Sequence, residues 1–334
     1  MLHSISEQPL RTNLRKIFRE GYHYLTHDGK KFSLTLKDRA AVGWVGRLFN
    51  PHKLALRLSL LAIERARHAP AAHMADGYAR YSPPPGGEAL EAALKVADEK
   101  IAIFQRWRAG DRSGVAPADR AAYEAETFKT LHDPLKHAPH RYDEAAARAL
   151  IRLFLQPELY LTAAEHLGVL PILGGVRLLY SPNEEADRLT NAQLFHIDPE
   201  GARQVKVFIA VQDVGPENSP VTFVPERLTA QMLGSGNRSY LSKRVPDELV
   251  ETHAPRDTWI TNEGRRGDML FVDTSRCLHF GSRPNLRPRL LLYGQYLDPF
   301  SSVFPAMKAG GATGKGFRFY QARGIVERCL LAQS

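Results

Sequence analysis

Residues 195–213 read FHIDPEGARQVKVFIAVQD, and this stretch decides the fold class. From Gln204 to Val211 every second residue is valine or isoleucine, which is the period of a β-strand with one buried face. Other short strands are predicted at Val176–Tyr180, Val221–Val224, Thr258–Thr261, Met269–Val272 and Arg289–Leu297. Short strands separated by Gly, Pro, Asn and Asp turns are typical of an antiparallel sandwich or barrel.

The first half of the chain instead shows the period of amphipathic helices. The predicted helices are Pro51–His68, Glu88–Arg108, Pro117–Leu131, Asp143–Leu155 and Pro157–Leu167. In the first helix the apolar face carries Leu54, Leu58 and Leu61, and Arg57 belongs to the basic face.

The change of period divides the chain and predicts a mixed α+β protein. We predict a mostly helical N-terminal region over residues 1–170, a β-rich core over 171–300 and a C-terminal extension over 301–334. The helices are expected to pack on the outside of the β core.

Charge and cysteine content narrow the class of protein. The 334 residues carry a net charge of +9, but the basic residues are dispersed among acidic ones, so we expect no nucleic-acid partner. The basic balance hints at an acidic or acyl-linked substrate. Two cysteines give no disulfide framework, and the N-terminus is polar. We therefore predict a cytoplasmic protein without a transmembrane segment.

His196-Ile197-Asp198 is a candidate metal site together with His279. Residues two apart on an extended chain point to the same side, so His196 and Asp198 can bind one ion. Two imidazoles and one carboxylate form the facial triad of non-heme Fe(II) oxygenases. A His-x-Asp pair alone is common by chance. Here a Gly-Asp turn, a strand, His279 and an arginine opening a further strand follow it in order, which strengthens the prediction.

Two blocks resemble the phytanoyl-CoA dioxygenase-like (PhyH-type) family of Fe(II)/2-oxoglutarate-dependent oxygenases. They are FHIDPEGARQVKVFIAVQDVGPENSPVTFVPERL at 195–228 and GDMLFVDTSRCLHFGSRPNLRPRLLLYGQYL at 267–297. The resemblance covers roughly residues 172–300. Ser219 and the sequence Glu226-Arg227-Leu228 depart from the family pattern, and neither departure falls on a candidate metal ligand.

The resemblance implies a double-stranded β-helix, a squashed jelly-roll barrel of the cupin kind. It also implies that His196, Asp198 and His279 bind Fe(II) and that one arginine pairs with the distal carboxylate of 2-oxoglutarate. Arg289 is the leading candidate, because Pro288 cannot donate a ladder hydrogen bond and the strand therefore begins after it.

Several assignments around this carboxylate stay open. Arg287 and Arg283 are the alternatives to Arg289. Ser282 and Tyr180 are weaker candidates for a hydroxyl that supports the same carboxylate. An arginine suits this role because its planar fork can donate two parallel hydrogen bonds to a carboxylate.

The implied activity is a dioxygenase that uses Fe(II), 2-oxoglutarate and O2 to hydroxylate an unactivated C–H bond of a small molecule, releasing succinate and CO2. Desaturation and cyclisation remain open. Two other classes are alternatives: a catalytically silent β-helix binding module, and a nucleic-acid-associated oxygenase.

Overall fold

The computed structural model describes residues 36–113, 115, 120, 144–181, 189, 191–234, 244–281, 283–301, 317 and 320–333. Its α-helices are α1 (Leu36–Phe49), α2 (Pro51–Arg67), α3 (Glu88–Arg108), α4 (Glu144–Phe154), α5 (Pro157–Leu167), α6 (Glu226–Gly234), α7 (Asp247–Glu251) and α8 (Ile325–Leu330). Its strands are β1 (Tyr78–Tyr81), β2 (Ile172–Ser181), β3 (Gln204–Ala210), β4 (Thr222–Phe223), β5 (Ile260–Thr261), β6 (Met269–Val272), β7 (His279–Phe280) and β8 (Arg289–Leu297). Within these ranges no helix has the length and apolar character needed to cross a bilayer.

The strands form two antiparallel sheets. One sheet has the order β1-β6-β3-β8-β2, and the other has the order β5-β4-β7. His196 extends the smaller sheet through a bridge to His279 at the start of β7. From β2 onward the chain passes from the large sheet to the small one and back, which is the winding of a double-stranded β-helix. The predicted mixed α+β fold is therefore confirmed.

The two faces of the large sheet have different partners. Val205, Val207 and Ile209 of β3 belong to the core cluster that also contains residues of α3, α4 and α5. Phe208 of β3 belongs to a second cluster with Phe223 of the small sheet. The alternation predicted for β3 is thus correct, with its valine face under the helices and its other face inside the barrel. The division of the chain at residue 170 stays a prediction.

The predicted boundaries differ from the structure in a few places. The strand expected at Thr258–Thr261 is only Ile260–Thr261, because Arg256–Thr258 forms a 3-10 turn instead. The helix expected at Pro117–Leu131 lies outside the described residues. Helices α1, α6, α7 and α8 and strands β1 and β7 were not predicted.

The predicted faces of α2 are wrong at Arg57 and Leu58. Leu58 is 43% exposed, whereas Arg57 is 6% exposed. The Arg57 guanidinium donates to the carbonyl oxygens of Leu170, Pro171 and Cys329 at 2.9–3.1 Å. A buried cation is tolerated when its donors are satisfied, so here arginine ties three distant segments together.

Replacing Gly294 with alanine should destabilise the fold by about 3 kcal/mol, the upper end for overpacking a core. A Cβ at Gly294 would lie 2.2 Å from the ring of Phe154, which is fully buried. Strand β8 cannot move away, since it is hydrogen-bonded to β2 on one side and β3 on the other. Urea unfolding followed by circular dichroism measures the loss.

Gly324→Ala is the matched control for this substitution. A Cβ at Gly324 meets no atom within 4 Å, so its free energy of unfolding should stay within about 0.5 kcal/mol of wild type. The double variant Gly294→Ala/Phe154→Leu should recover part of the loss, because the two side chains compete for one space. Wild-type stability of Gly294→Ala would contradict the packing described above.

Candidate metal centre

Backbone hydrogen bonds place the two histidines side by side. His196 N donates to His279 O, and His279 N donates to His196 O, both at 2.9 Å. The ring centroids are 4.3 Å apart. Asp198 follows two residues later, and its N–H donates to Thr274 O at 2.9 Å. The loop between β6 and β7 therefore holds Asp198 beside both imidazoles.

The side-chain atoms of these residues converge on one point. His196 Nε2 lies 3.7 Å from Asp198 Oδ1, and His279 Nε2 lies 3.4 Å from Asp198 Oδ2. His196 Nδ1 is 2.9 Å from Leu194 O, and His279 Nδ1 is 3.0 Å from Cys277 O. With the proton on Nδ1, each imidazole donates to its carbonyl and presents Nε2 as the ligand atom for a metal ion.

The electrostatics of the cluster favour its metal-binding protonation states. Burial and the neighbouring His279 lower the pKa of His196 to about 3, so its imidazole is neutral near pH 7. Burial alone would raise the pKa of Asp198, but Lys206 and His279 outweigh it and hold that pKa well below its usual range. A neutral imidazole and an ionised carboxylate are the forms that bind a metal ion.

Lys206 is a functional candidate that the sequence analysis missed. Its Nζ donates to Asp198 Oδ2, and it lies 5.5 Å from the ring centroid of Tyr293. The attraction of Asp198 overcomes burial and raises the pKa of Lys206. The strand period places Lys206 on the face opposite to Val205 and Val207, and in the structure that face lines the barrel interior.

Arg289 opens β8 on its interior face and is 4% exposed. One Nη1–H donates to Ser219 O, while Nε is buried without a hydrogen-bond partner among the described residues. Burial lowers the pKa of Arg289 to about 10, and no acidic group opposes this shift. At pH 7 the side chain is therefore a cation that lacks a counter-charge in the described part of the chain.

The two alternative arginines have carboxylate partners of their own. Arg283 makes two hydrogen bonds of 2.7 Å to Asp247, and its Cζ lies 3.3 Å from the ring centroid of Phe280. Arg287 pairs with Glu217 at 2.8 Å, and its side chain is 72% exposed. Neither presents an unpaired guanidinium to the barrel interior.

The structure does not bring Tyr180 together with Arg289. Tyr180 pairs with Leu290 in the sheet, and both belong to the core cluster under the helices. Its ring packs against Phe104 of α3 with centroids 5.3 Å apart. Ser282 lies outside the described residues.

The donor set fits a six-coordinate divalent transition metal that keeps open positions. Two imidazole nitrogens and one carboxylate are the ligands that Fe(II) takes in this arrangement. All three ligand atoms lie within 4.8 Å of one another, and all three residues are buried. Among the described residues no other group of His, Cys, Asp and Glu side chains meets this spacing.

Comparisons with known proteins gave structural similarity only. No family model matches the chain, and no curated protein matches it. AviO1 from Streptomyces viridochromogenes Tue57 has 19% identity and a TM-score of 0.39, over 68% of this chain and 91% of that one. EctD from S. alaskensis, solved with 2-oxoglutarate and 5-hydroxyectoine, has 18% identity and a TM-score of 0.41, over 66% and 72%. The non-heme alpha ketoglutarate dependent epimerase SnoN from nogalamycin biosynthesis has 20% identity and a TM-score of 0.37, over 72% and 82%.

Proposed function

We propose that this chain is a non-heme Fe(II)/2-oxoglutarate-dependent dioxygenase of the phytanoyl-CoA dioxygenase-like type that hydroxylates a small molecule. The observation that carries the proposal is the buried cluster of His196, Asp198 and His279 in a barrel that also holds Arg289 without a counter-charge among the described residues. A metal ion alone would need only the three ligands. A buried cation in the same barrel favours a metal that works with an acidic co-substrate.

In this proposal each residue has a defined task. His196, Asp198 and His279 hold Fe(II) by one side and leave its other positions open. Arg289 binds the distal carboxylate of 2-oxoglutarate through its guanidinium. When bound, Fe(II) and 2-oxoglutarate supply oxidising chemistry with O2, yielding succinate and CO2 and hydroxylating a C–H bond.

The surrounding residues prepare this site. Lys206 keeps Asp198 ionised and fixes one of its oxygens. Phe208, Leu291 and Tyr293 make the barrel interior apolar, which excludes water from the reacting groups. The carbonyls of Leu194 and Cys277 orient the imidazoles.

Formation of succinate from 2-oxoglutarate tests the proposed class. Purified protein is loaded with Fe(II) without oxygen, given 2-oxoglutarate and then exposed to O2, and succinate is quantified by mass spectrometry. We expect slow, oxygen-dependent turnover without a primary substrate. A parallel sample with Zn(II) in place of Fe(II) should give none, since Zn(II) has no redox chemistry. A protein that binds neither Fe(II) nor 2-oxoglutarate would contradict the proposal and favour the silent binding module.

A further inference from the structure

Helix α1 packs against the segment that follows β8, at the end of that strand opposite to Arg289. Arg47 Nη2 lies 2.6 Å from Asp298 Oδ2, and Gly46 lies against Phe300. Arg39 is near the start of the same helix and reaches Asp198, where its Nη1 donates to the backbone oxygen at 2.8 Å. Helix α1 thus brings an arginine from outside the barrel to the backbone of Asp198, one of the candidate metal ligands.

The Arg39 guanidinium is buried with one edge unused. The residue is 1% exposed, and neither Nε nor Nη2 has a hydrogen-bond partner among the described residues. Nε–H and one Nη2–H are parallel donors that point outward along one edge of the planar guanidinium. That edge matches two oxygens of a carboxylate or phosphate, and the Nη1 bond to Asp198 O holds the plane in place.

The acids nearest to Arg39 have other partners. The Asp198 carboxylate accepts from Lys206, and Glu200 accepts from Gln204 Nε2 at 3.2 Å. Burial lowers the pKa of Arg39, although Glu200 and Asp198 oppose the shift. A buried cation without a hydrogen-bonded anion is costly, so the site favours a bound anion at the free edge.

We propose that the Nε–Nη2 edge of Arg39 binds a carboxylate or phosphate group of the primary substrate. This proposal rests on the proposed function, in which Arg289 is occupied by 2-oxoglutarate. In this arrangement Arg289 binds the co-substrate, and Arg39, which donates to the backbone oxygen of Asp198, binds an anionic substrate. The net charge of +9 also favours an anionic substrate.

A purely structural role for Arg39 would require only one of the three guanidinium nitrogens. Support of the Asp198 carbonyl needs only Nη1, and it gives no reason for two parallel donors to stay buried without a partner among the described residues. The two roles predict different behaviour toward small anions, which can be titrated directly.

The test is calorimetric titration of acetate and of inorganic phosphate into Ni(II)-loaded protein saturated with 2-oxoglutarate. Arg39→Gln should weaken binding of the preferred anion roughly 10-fold or more, since it removes charged hydrogen bonds. Arg287→Gln is the matched control, because Arg287 is exposed and pairs with Glu217, and it should leave the affinity unchanged. The preferred anion should also raise the thermal midpoint of wild type and not that of Arg39→Gln. Equal anion affinity in wild type and Arg39→Gln, or no anion binding to wild type, overturns the proposal.

A separate titration of 2-oxoglutarate decides whether Arg39 binds the primary substrate or the co-substrate. Arg39→Gln should bind 2-oxoglutarate within about twofold of wild type. A loss of 2-oxoglutarate affinity as large as the loss for acetate or phosphate would show that Arg39 serves the co-substrate, and it would overturn the assignment to the substrate. If wild type binds no 2-oxoglutarate, the proposed function fails. The anion titrations repeated without 2-oxoglutarate then still decide whether Arg39 is an anion site.

Discussion

Arg289→Gln should weaken 2-oxoglutarate binding roughly 100-fold or more, the effect expected when one partner of a buried, hydrogen-bonded charge pair is removed. The guanidinium is buried on the barrel face of β8 and donates to Ser219 O. Its Nε has no partner among the described residues. Glutamine keeps a hydrogen-bond donor but loses the charge and the fork, so the distal carboxylate would enter a site without a counter-ion.

The measurement is calorimetric titration of 2-oxoglutarate into Ni(II)-loaded protein without O2. Arg287→Gln makes the same change two residues earlier, at an exposed side chain paired with Glu217, and it should leave the dissociation constant unchanged. Arg283→Gln should also retain affinity, although it removes the two bonds to Asp247. Equal losses in Arg287→Gln and Arg289→Gln would contradict the assignment, since they would indicate a general effect of net charge.

Arg289→Gln should lower the free energy of unfolding only slightly, although Arg289 is buried. Removing a buried cation also removes the cost of burying it, which offsets the lost bond to Ser219. The thermal midpoint of the variant should therefore be close to that of the wild type in the absence of 2-oxoglutarate. A large drop would mean that Arg289 mainly holds the loop around Ser219.

The sequence predicted those parts of the fold that depend on local period. Gln204–Val211 has valine or isoleucine at every second position, and the structure buries that face as expected. His196 and Asp198 lie two apart on an extended segment, so their side chains meet. The same parity placed Arg289 on one face with Leu291 and Tyr293, and the structure has those two residues in the barrel interior.

The missed features depend on contacts between segments far apart in the chain. Arg57 resembles a solvated basic residue on a helix, but its partners are carbonyls 113 to 272 residues away. Arg39 reaches Asp198 across 159 residues. No local pattern records such a contact, because a long side chain satisfies the same helical period whether it faces solvent or a distant backbone oxygen. Lys206 differs from both, because its strand parity separates it from the valine face, and the packing of the second sheet makes that other face part of the barrel interior.

His279→Ala should weaken binding of a divalent metal by roughly 100-fold or more, because loss of a ligand exceeds the effects known for the residues that support ligands. For this test His279 is a better ligand to replace than Asp198. Alanine at Asp198 would also leave Lys206 buried without its partner, which adds a folding cost unrelated to the metal. Alanine at His279 instead removes the Nε2 atom beside Asp198 and the Nδ1 hydrogen bond to Cys277 O. Lys206 keeps its carboxylate partner in that variant.

The binding of Mn(II), followed by electron paramagnetic resonance of the free ion, measures this loss. His52→Ala is the control, since His52 is exposed on α2, and it should bind Mn(II) as tightly as wild type. Added Mn(II) should raise the thermal midpoint of wild type and His52→Ala but not that of His279→Ala, because only the folded triad binds the ion. Unchanged Mn(II) affinity in His279→Ala would show that this cluster is not the metal-binding site, and the proposed function would then fail.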